Sequence, residues 1–306
     1  MGEIMPRAHL QSIGWSSNRI TKAVRDHELI RPAPGSYVEA EPRGEEELYR
    51  LKVIATMRRR SGAASHQSAA ALHDIPYFEP DRSRVHVTVD RSHGGGVRGK
   101  VFLHSRPLPI EDVTQVGGVI VTSRARTAVD GALTGNLVRA VIGFDAVRRV
   151  RRFPRPDDPE PISVDEITAC LTRLGGRRGT DVARRGLTLS VDKSESAGES
   201  WARMQMLAWG IPAPELQRGY TLGASTYYAD FTFGDALIGE FDGKGKYGET
   251  DAEKAEALER EKARQVAFEK AGFEVIRFGW PVLTRTGALR ALLAPALRRH
   301  GLLYAG

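Results

Sequence analysis

The sequence predicts an α+β chain of several domains, and three observations carry that prediction. Its 306 residues exceed the roughly 250 to 300 at which a single core stops growing. Runs of helical spacing and runs of period-two alternation are segregated along the chain. The last hundred residues run as helix, three strands, helix and strand, the order of an α/β layer with a mixed sheet.

Composition narrows the class. With 41% hydrophobic and 27% charged residues the chain is globular, which excludes bulk disorder, collagen and coiled coil. A net charge of +7 points to an anionic partner. The basic residues are 36 Arg against 9 Lys; Arg is the better bidentate phosphate ligand, although a GC-rich coding sequence gives the same ratio. The single cysteine, Cys170, excludes a disulfide framework and a Cys-based zinc cluster. No apolar run reaches the ~18 to 20 residues of a membrane span, and the first ten residues carry no signal-peptide core, so a cytoplasmic protein without a membrane partner is expected.

Residues 1–40 form the first predicted module. His9 to Val38 reads as helix, tight turn at Gly14, helix capped by Ser16 or Ser17, and a hairpin bent at Pro34-Gly35. Ile20, Ala23 and Val24 share one helical face, and Arg19, Lys22 and Arg25 lie off it, where a recognition helix meets a DNA groove. This pattern resembles the winged helix-turn-helix of AbiEi-type antitoxins. Only about eight residues precede His9, so the usual first helix is expected to be truncated or missing.

Residues 41–135 read as a mixed α/β body. A helix carries Leu51, Val53, Ile54 and Met57; Arg84 to Val89 alternates at period two, and Val101 to His104 does so more weakly. Val119 to Thr122 is a strand running into a capped helix at Ser123. The runs SAAALH and TSRARTAVD resemble the body domain that follows the winged helix in AbiEi-like antitoxins. His66, His73, His86, His93 and His104 match no standard metal-ligand spacing, so ordinary hydrogen-bonding histidines are expected. Residues 136–194 read as a basic helical connector, broken by the proline-rich run RFPRPDDPEP.

Residues 195–306 carry the chemistry. A helix from Ser196 to Gly210, with Trp201, Met204, Leu207 and Ala208 on one face, holds Glu199 in its first turn. Strands follow at Glu215 to Leu222, Tyr227 to Phe233 and Ala236 to Phe241, the last two joined by Gly234-Asp235. Asp230 and Glu240 interrupt apolar strands, against strand propensity, as happens at functional sites. Glu240, Asp242 and Lys244 share one side of an extended strand, and Asp230 can face Glu240 across the hairpin. Clustered carboxylates repel unless a cation neutralises them, and oxygen ligands with open positions suit Mg²⁺. A charged helix from Thr250 to Ala271, with Ala255, Leu258, Ala263, Val266 and Ala267 as its apolar stripe, then crosses over to a parallel strand at Phe273 to Phe278.

These residues resemble the PD-(D/E)XK nuclease superfamily, and within it the bacterial family related to very-short-patch-repair endonucleases. Glu199-Ser200, Pro214-Glu215-Leu216-Gln217, Ala229-Asp230-Phe231, Gly239-Glu240-Phe241-Asp242-Gly243-Lys244 and Phe273 to Phe278 carry the likeness. The resemblance implies a restriction-endonuclease-like domain and a Mg²⁺- or Mn²⁺-dependent DNA endonuclease. It makes Asp230 the central metal ligand, Glu240 the second acid and Glu199 a helix-borne acid, with Asp242 and Lys244 completing the catalytic set. Asp242 stands where the motif has lysine, so either Glu240 is the second acid or Asp242-Gly243-Lys244 is itself the (D/E)XK triplet. Lys246 and Arg277 are further candidates for nucleic-acid contact. Two other readings stand beside the nuclease: a non-cleaving, antitoxin-like transcriptional regulator, and an adaptor for a cognate toxin. DNA is the expected partner; many nucleases of the resembled fold act as homodimers, though no residue of this sequence marks an interface.

Overall fold

The computed structural model describes residues 2–243 and 251–303 and is α+β, with mixed sheets. The chain divides into two compact units that are interlaced along the sequence. The first takes Met1–Val147 and Ile162–Leu189, and the second takes Arg148–Pro161 and Ser190–Gly306.

In the first unit a short strand β1 (Met5–Pro6) leads into helices α1 (Arg7–Ser12) and α2 (Ser17–Arg25) and the hairpin β2 (Leu29–Ala33) and β3 (Ser36–Glu39). The turn between helices uses Gly14 at φ +88°, and the Ser16 hydroxyl accepts from the Arg19 amide to cap α2. Leu10, Ile20, Ala23, Leu29 and Tyr37 form a small core here, while Arg19, Lys22 and Arg25 are exposed. The short helix α1 is the helix read from His9, and among the described residues only β1 precedes it, so the additional first helix of the winged pattern is missing, as expected.

The body follows with α3 (Glu45–Met57), β4 (Ala63–Ala64), α4 (His66–Leu72), β5 (Val85–Val89), β6 (Gly96–Arg98), β7 (Val101–Ser105), β8 (Val113–Val116), β9 (Val119–Thr122) and α5 (Arg124–Ala132). Its six strands run in the order β6-β7-β5-β4-β9-β8. Val85, Val87, Val101, Val119 and Val121 bury against α3. By the period-two alternation of strands, His86, Thr88, Phe102 and His104 turn to the opposite face.

Helices α6 (Leu137–Arg148), α7 (Val164–Leu174) and α8 (Thr180–Leu189) occupy the segment expected to be a connector. They are instead part of the first unit's core, because Ala140, Phe144, Val147, Ile167, Cys170, Leu171 and Ala183 pack with Ala128, Val129 and Ala132 of α5. Only the proline-rich break departs: Arg148–Pro161 belongs to the second unit. There Arg148 donates to the Ser190 carbonyl (2.7 Å) and Val150 to that of Asp192 (2.9 Å).

The second unit continues as α9 (Ala197–Ala208), β10 (Glu215–Leu222), β11 (Ser225–Phe233), β12 (Leu237–Asp242), α10 (Asp251–Lys270), β13 (Glu274–Gly279), α11 (Trp280–Leu283) and α12 (Ala288–Arg299). The sheet order is β10-β11-β12-β13, with the first two pairings antiparallel and the last parallel. The helix crossover read from the sequence is therefore present. The apolar faces differ from the sequence reading. In α9, Ala202 and Met206 join the core beside Met204, while Leu207 and Ala208 are exposed. In α10, Ala255, Ala263 and Val266 are exposed and Phe268 is the buried anchor; the Leu258 side chain lies outside the described residues. Both shifts have one cause: the sheet selects the face bearing the largest apolar side chains, and helical spacing alone does not say which arc meets it. Among the described residues no helix is long and apolar enough to cross a membrane.

Candidate active site

Four elements of the second unit bring acids together at one end of the sheet. Glu199 lies in the first turn of α9, which Ser196 caps by accepting from the Glu199 amide (3.2 Å). Its carboxylate accepts from the Glu195 amide (2.8 Å) and the Ser196 hydroxyl (2.7 Å). It is only 5% exposed, and burial, reinforced by the nearby Asp230, pushes its pKa up to about 8. The helix can come this close because Gly198 lies against the Phe241 ring: a Cβ there would stand 2.0 Å from it.

Asp230, also buried, is held in β11 by two donors. The Phe241 amide of β12 gives 2.8 Å to one carboxylate oxygen, and the Gln217 side chain gives 3.2 Å to the other. Gln217 also donates to Glu199 (3.3 Å), so one amide nitrogen spans both acids. Gln217 has φ +54°, a left-handed conformation that a non-glycine residue holds only when its surroundings fix it. Its carbonyl oxygen accepts from Arg152 (3.0 Å), whose guanidinium stacks 3.4 Å over the Tyr228 ring. A cavity of about 300 Å³ opens beside it, lined by Val150, Arg152, Asp192, Lys193, Glu195 and Gln217.

The β11–β12 register pairs Phe231 with Gly239. Its continuation sets Asp230 opposite Glu240, the pairing expected across the hairpin. Glu240 is 1% exposed and accepts from Arg264 of α10 (2.6 Å). Asp242, two residues on and partly exposed, takes both a 3.0 Å bond and a shorter one from Arg277 of β13. Glu261 joins the two arginines, at 2.7 Å from Arg264 and 2.6 Å from Arg277. Burial works against charge on both arginines, yet their carboxylate partners win and hold them protonated above their ordinary range. Burial likewise opposes charge on Glu261, and the two guanidiniums outweigh it.

The predicted acids thus fall into two linked groups. Gln217 gathers Glu199 and Asp230, and Arg264, Arg277 and Glu261 gather Glu240 and Asp242. Arg277, a candidate for nucleic-acid contact, is committed to these acids. Lys244 and Lys246 lie outside the described residues. The sequence places Gln217 in the PELQ run, and Glu261 and Arg264 in a charged stretch that lies near the site in the resembled family and reads equally as exposed i to i+4 ion pairs; it assigns none of them a specific role. Arg152 arrives from the basic, proline-rich segment that reads as connector and linker, where phosphate contact is one reading.

The donor set fits a hard divalent cation. Every candidate ligand is a carboxylate oxygen, and the raised pKa of Glu199 marks a site where buried negative charge lacks full compensation.

A second buried polar centre lies in the first unit. The TSRARTAVD run turns Arg126 fully inward, where it donates to Asp130 (3.0 Å) and Asp112 (2.7 Å), and Arg173 reaches the other Asp112 oxygen. The Thr122 and Thr127 hydroxyls bond at 2.7 Å. Beside this network, three of the five histidines that spacing had dismissed as ligands, His66, His86 and His104, meet. Burial lowers the basicity of all three, to about 4 for His86 and about 2 for His104.

No family model matches the chain. It is similar to two uncharacterized proteins of Mycobacterium tuberculosis, MT2308 from strain CDC 1551 / Oshkosh and Rv2248 from strain ATCC 25618 / H37Rv. Each is 29% identical over 257 residues, spanning 83% of this chain and 86% of the relative. A match of this length exceeds either unit alone, so the similarity reaches into both.

Proposed function

We propose that the chain is a DNA endonuclease-like protein of the PD-(D/E)XK class, hydrolysing phosphodiester bonds with Mg²⁺ or Mn²⁺. The observation that carries this reading is the placement of Asp230 opposite Glu240 on neighbouring strands, with buried Glu199 joined to Asp230 through Gln217. The helix, three strands, helix, strand order and the parallel β12–β13 pair support it. Asp230 and Glu240 would hold the cation, with Glu199 or Asp242 as the further acid. Gln217 fixes the Asp230 carboxylate, and Arg152 fixes Gln217. A bound cation would supply Lewis-acid stabilisation of charge on the phosphodiester.

In the first unit, α2 presents Arg19, Lys22 and Arg25 to solvent as a winged helix-turn-helix presents its recognition helix. DNA is accordingly the proposed partner, and phage defence, toxin-antitoxin function or DNA repair the proposed setting.

One observation favours a second reading, a DNA-binding regulator that does not cut: Glu240 and Asp242 are already neutralised by Arg264 and Arg277. Supercoiled plasmid with Mg²⁺ separates the two. The nuclease reading requires nicking by wild type and its loss in Asp230→Ala. Identical plasmid profiles for both proteins, with both retarding DNA in a gel, would establish the regulator. Absence of DNA retention at low salt would leave the toxin-binding adaptor.

A further inference from the structure

His66, His86 and His104 lie far apart in sequence, yet one ring nitrogen of each lies within 4.8 Å of the others. Strand register explains two of them. In the parallel β5–β7 pair His86 stands opposite Phe102 and Thr88 opposite His104, so both histidines project from the same face. The third is the first residue of α4. His66 adopts φ +50°, a left-handed conformation uncommon outside glycine, in a backbone that bonds Ser65 to the His86 carbonyl.

The rings are close enough to exchange a proton. His86 Nδ1 and His104 Nε2 are 2.9 Å apart, and the His66 and His104 rings stack at 3.7 Å between centroids. Facing nitrogens at this distance share one hydrogen, so that pair holds a lone pair that a metal could take, while His66 Nδ1 meets the Ser65 hydroxyl at 3.0 Å. Two ligands of one tetrahedral zinc ion stand ~3.3 Å apart when the metal–nitrogen bonds are 2.0 to 2.1 Å; the His86–His104 pair at 2.9 Å is near that spacing, and the trio lies within 4.8 Å.

A second observation points the same way. Asp130 is fully buried; one oxygen takes Arg126, and the other has no hydrogen-bond partner among the described residues and lies 4.0 Å from His66 Nδ1. Metal-bound imidazoles characteristically have a carboxylate behind them, which orients the ring and offsets the ion's charge. That offset matters here because Arg106, Arg126 and Arg139 also surround His66. Arg126 is matched by Asp112 as well as Asp130, leaving the second Asp130 oxygen available. His86 and His104 are only half-buried, so the cluster is open to solvent on their side.

We propose that His66, His86 and His104 form a binding site for a divalent transition ion of the zinc class, backed by Asp130. Nitrogen donors exclude Mg²⁺ and Ca²⁺ here and favour Zn²⁺ or Co²⁺, the reverse of the all-oxygen acids in the second unit. The site does not depend on the nuclease reading, since it draws on none of its residues.

The test uses the full chain stripped with a chelator and titrated with Co²⁺, whose visible absorption reports imidazole coordination, followed by competition with Zn²⁺. One equivalent is expected to bind and to resist excess Mg²⁺. His104→Gln and His86→Gln should abolish it, Asp130→Asn should weaken it roughly tenfold or more, and Asp230→Asn should leave it unchanged. Should the histidine variants fail to fold, wild type decides: Zn²⁺ must protect His86 and His104 from carbethoxylation, read by mass spectrometry. Cobalt uptake no greater in wild type than in His104→Gln, or no protection by Zn²⁺, overturns the site and leaves a hydrogen-bonded imidazole cluster.

Discussion

Glu199 shows what single residues contribute and what they cost. In the unfolded chain its pKa is that of an ordinary glutamate, ~4.3, and in the fold it is about 8. Between those values the folded state binds the extra proton, so the stability contributed by this group is full below pH ~4.3 and is lost as pH rises through 8. Wild type should lose a few kcal/mol of unfolding free energy between pH 5 and pH 8.5, and Glu199→Gln should flatten that slope. Urea denaturation at the two pH values checks it; parallel slopes for both proteins would contradict it. A cation bound beside Asp230 would relieve the same cost, so Mg²⁺ should raise the melting temperature more at pH 8.5 than at pH 5.5. Arg126 sits at the other extreme. Arg126→Ala strands the buried Asp130 carboxylate and leaves Asp112 with Arg173 alone, and a loss of about 3 to 5 kcal/mol is expected in equilibrium unfolding.

Elements explain why part of this was legible in the sequence and part was not. The β11–β12 hairpin announced itself through Gly234-Asp235 and its alternation, and Asp230 and Glu240 stood out because they broke an apolar pattern. The PELQ run marked Gln217 without its role, which rests on a left-handed backbone, and Arg264 stood in a stretch that reads equally as site-proximal charge or exposed ion pairs. Periodicity identified α9 but placed Leu207 and Ala208 inside, because it cannot see that Gly198 lets Phe241 set the contact. Gly198→Ala should therefore cost about 1 to 3 kcal/mol through overpacking, and Phe241→Leu in the same chain should restore part of it. Thermal melts of the single and double variants decide. The histidines failed as a sequence signal for a related reason: ligand spacing is diagnostic within one helix or loop, and these three meet across α4, β5 and β7.

At the scale of the whole molecule the charge is divided unevenly. Residues 1 to 194 carry a balance of +8 and residues 195 to 306 one of −1, so the acids gather apart from the excess of arginine. If α2 grips DNA, replacing Arg19, Lys22 and Arg25 by alanine should lower the dependence of log K on log salt by up to about 2 to 3, while leaving plasmid nicking by the second unit in place at low salt. An unchanged salt slope would remove α2 from the interface. The four segments suggested by composition resolve into two units because helices α6 to α8 carry apolar faces as well as charge, and composition weighs only the charge.

The interlacing has a consequence for inheritance and for synthesis. The chain enters the second unit at Arg148, leaves it after Pro161, and returns only at Ser190. A single genetic crossover cannot exchange one unit for another, since any cut at the obvious boundary near residue 194 severs Arg152 from Gln217 and Tyr228. On the ribosome, the first unit cannot close until α8 has emerged, by which time the strap bearing Arg152 is already waiting for a sheet not yet made. A C-terminal fragment starting at residue 195 should accordingly behave as a site lacking one of its walls.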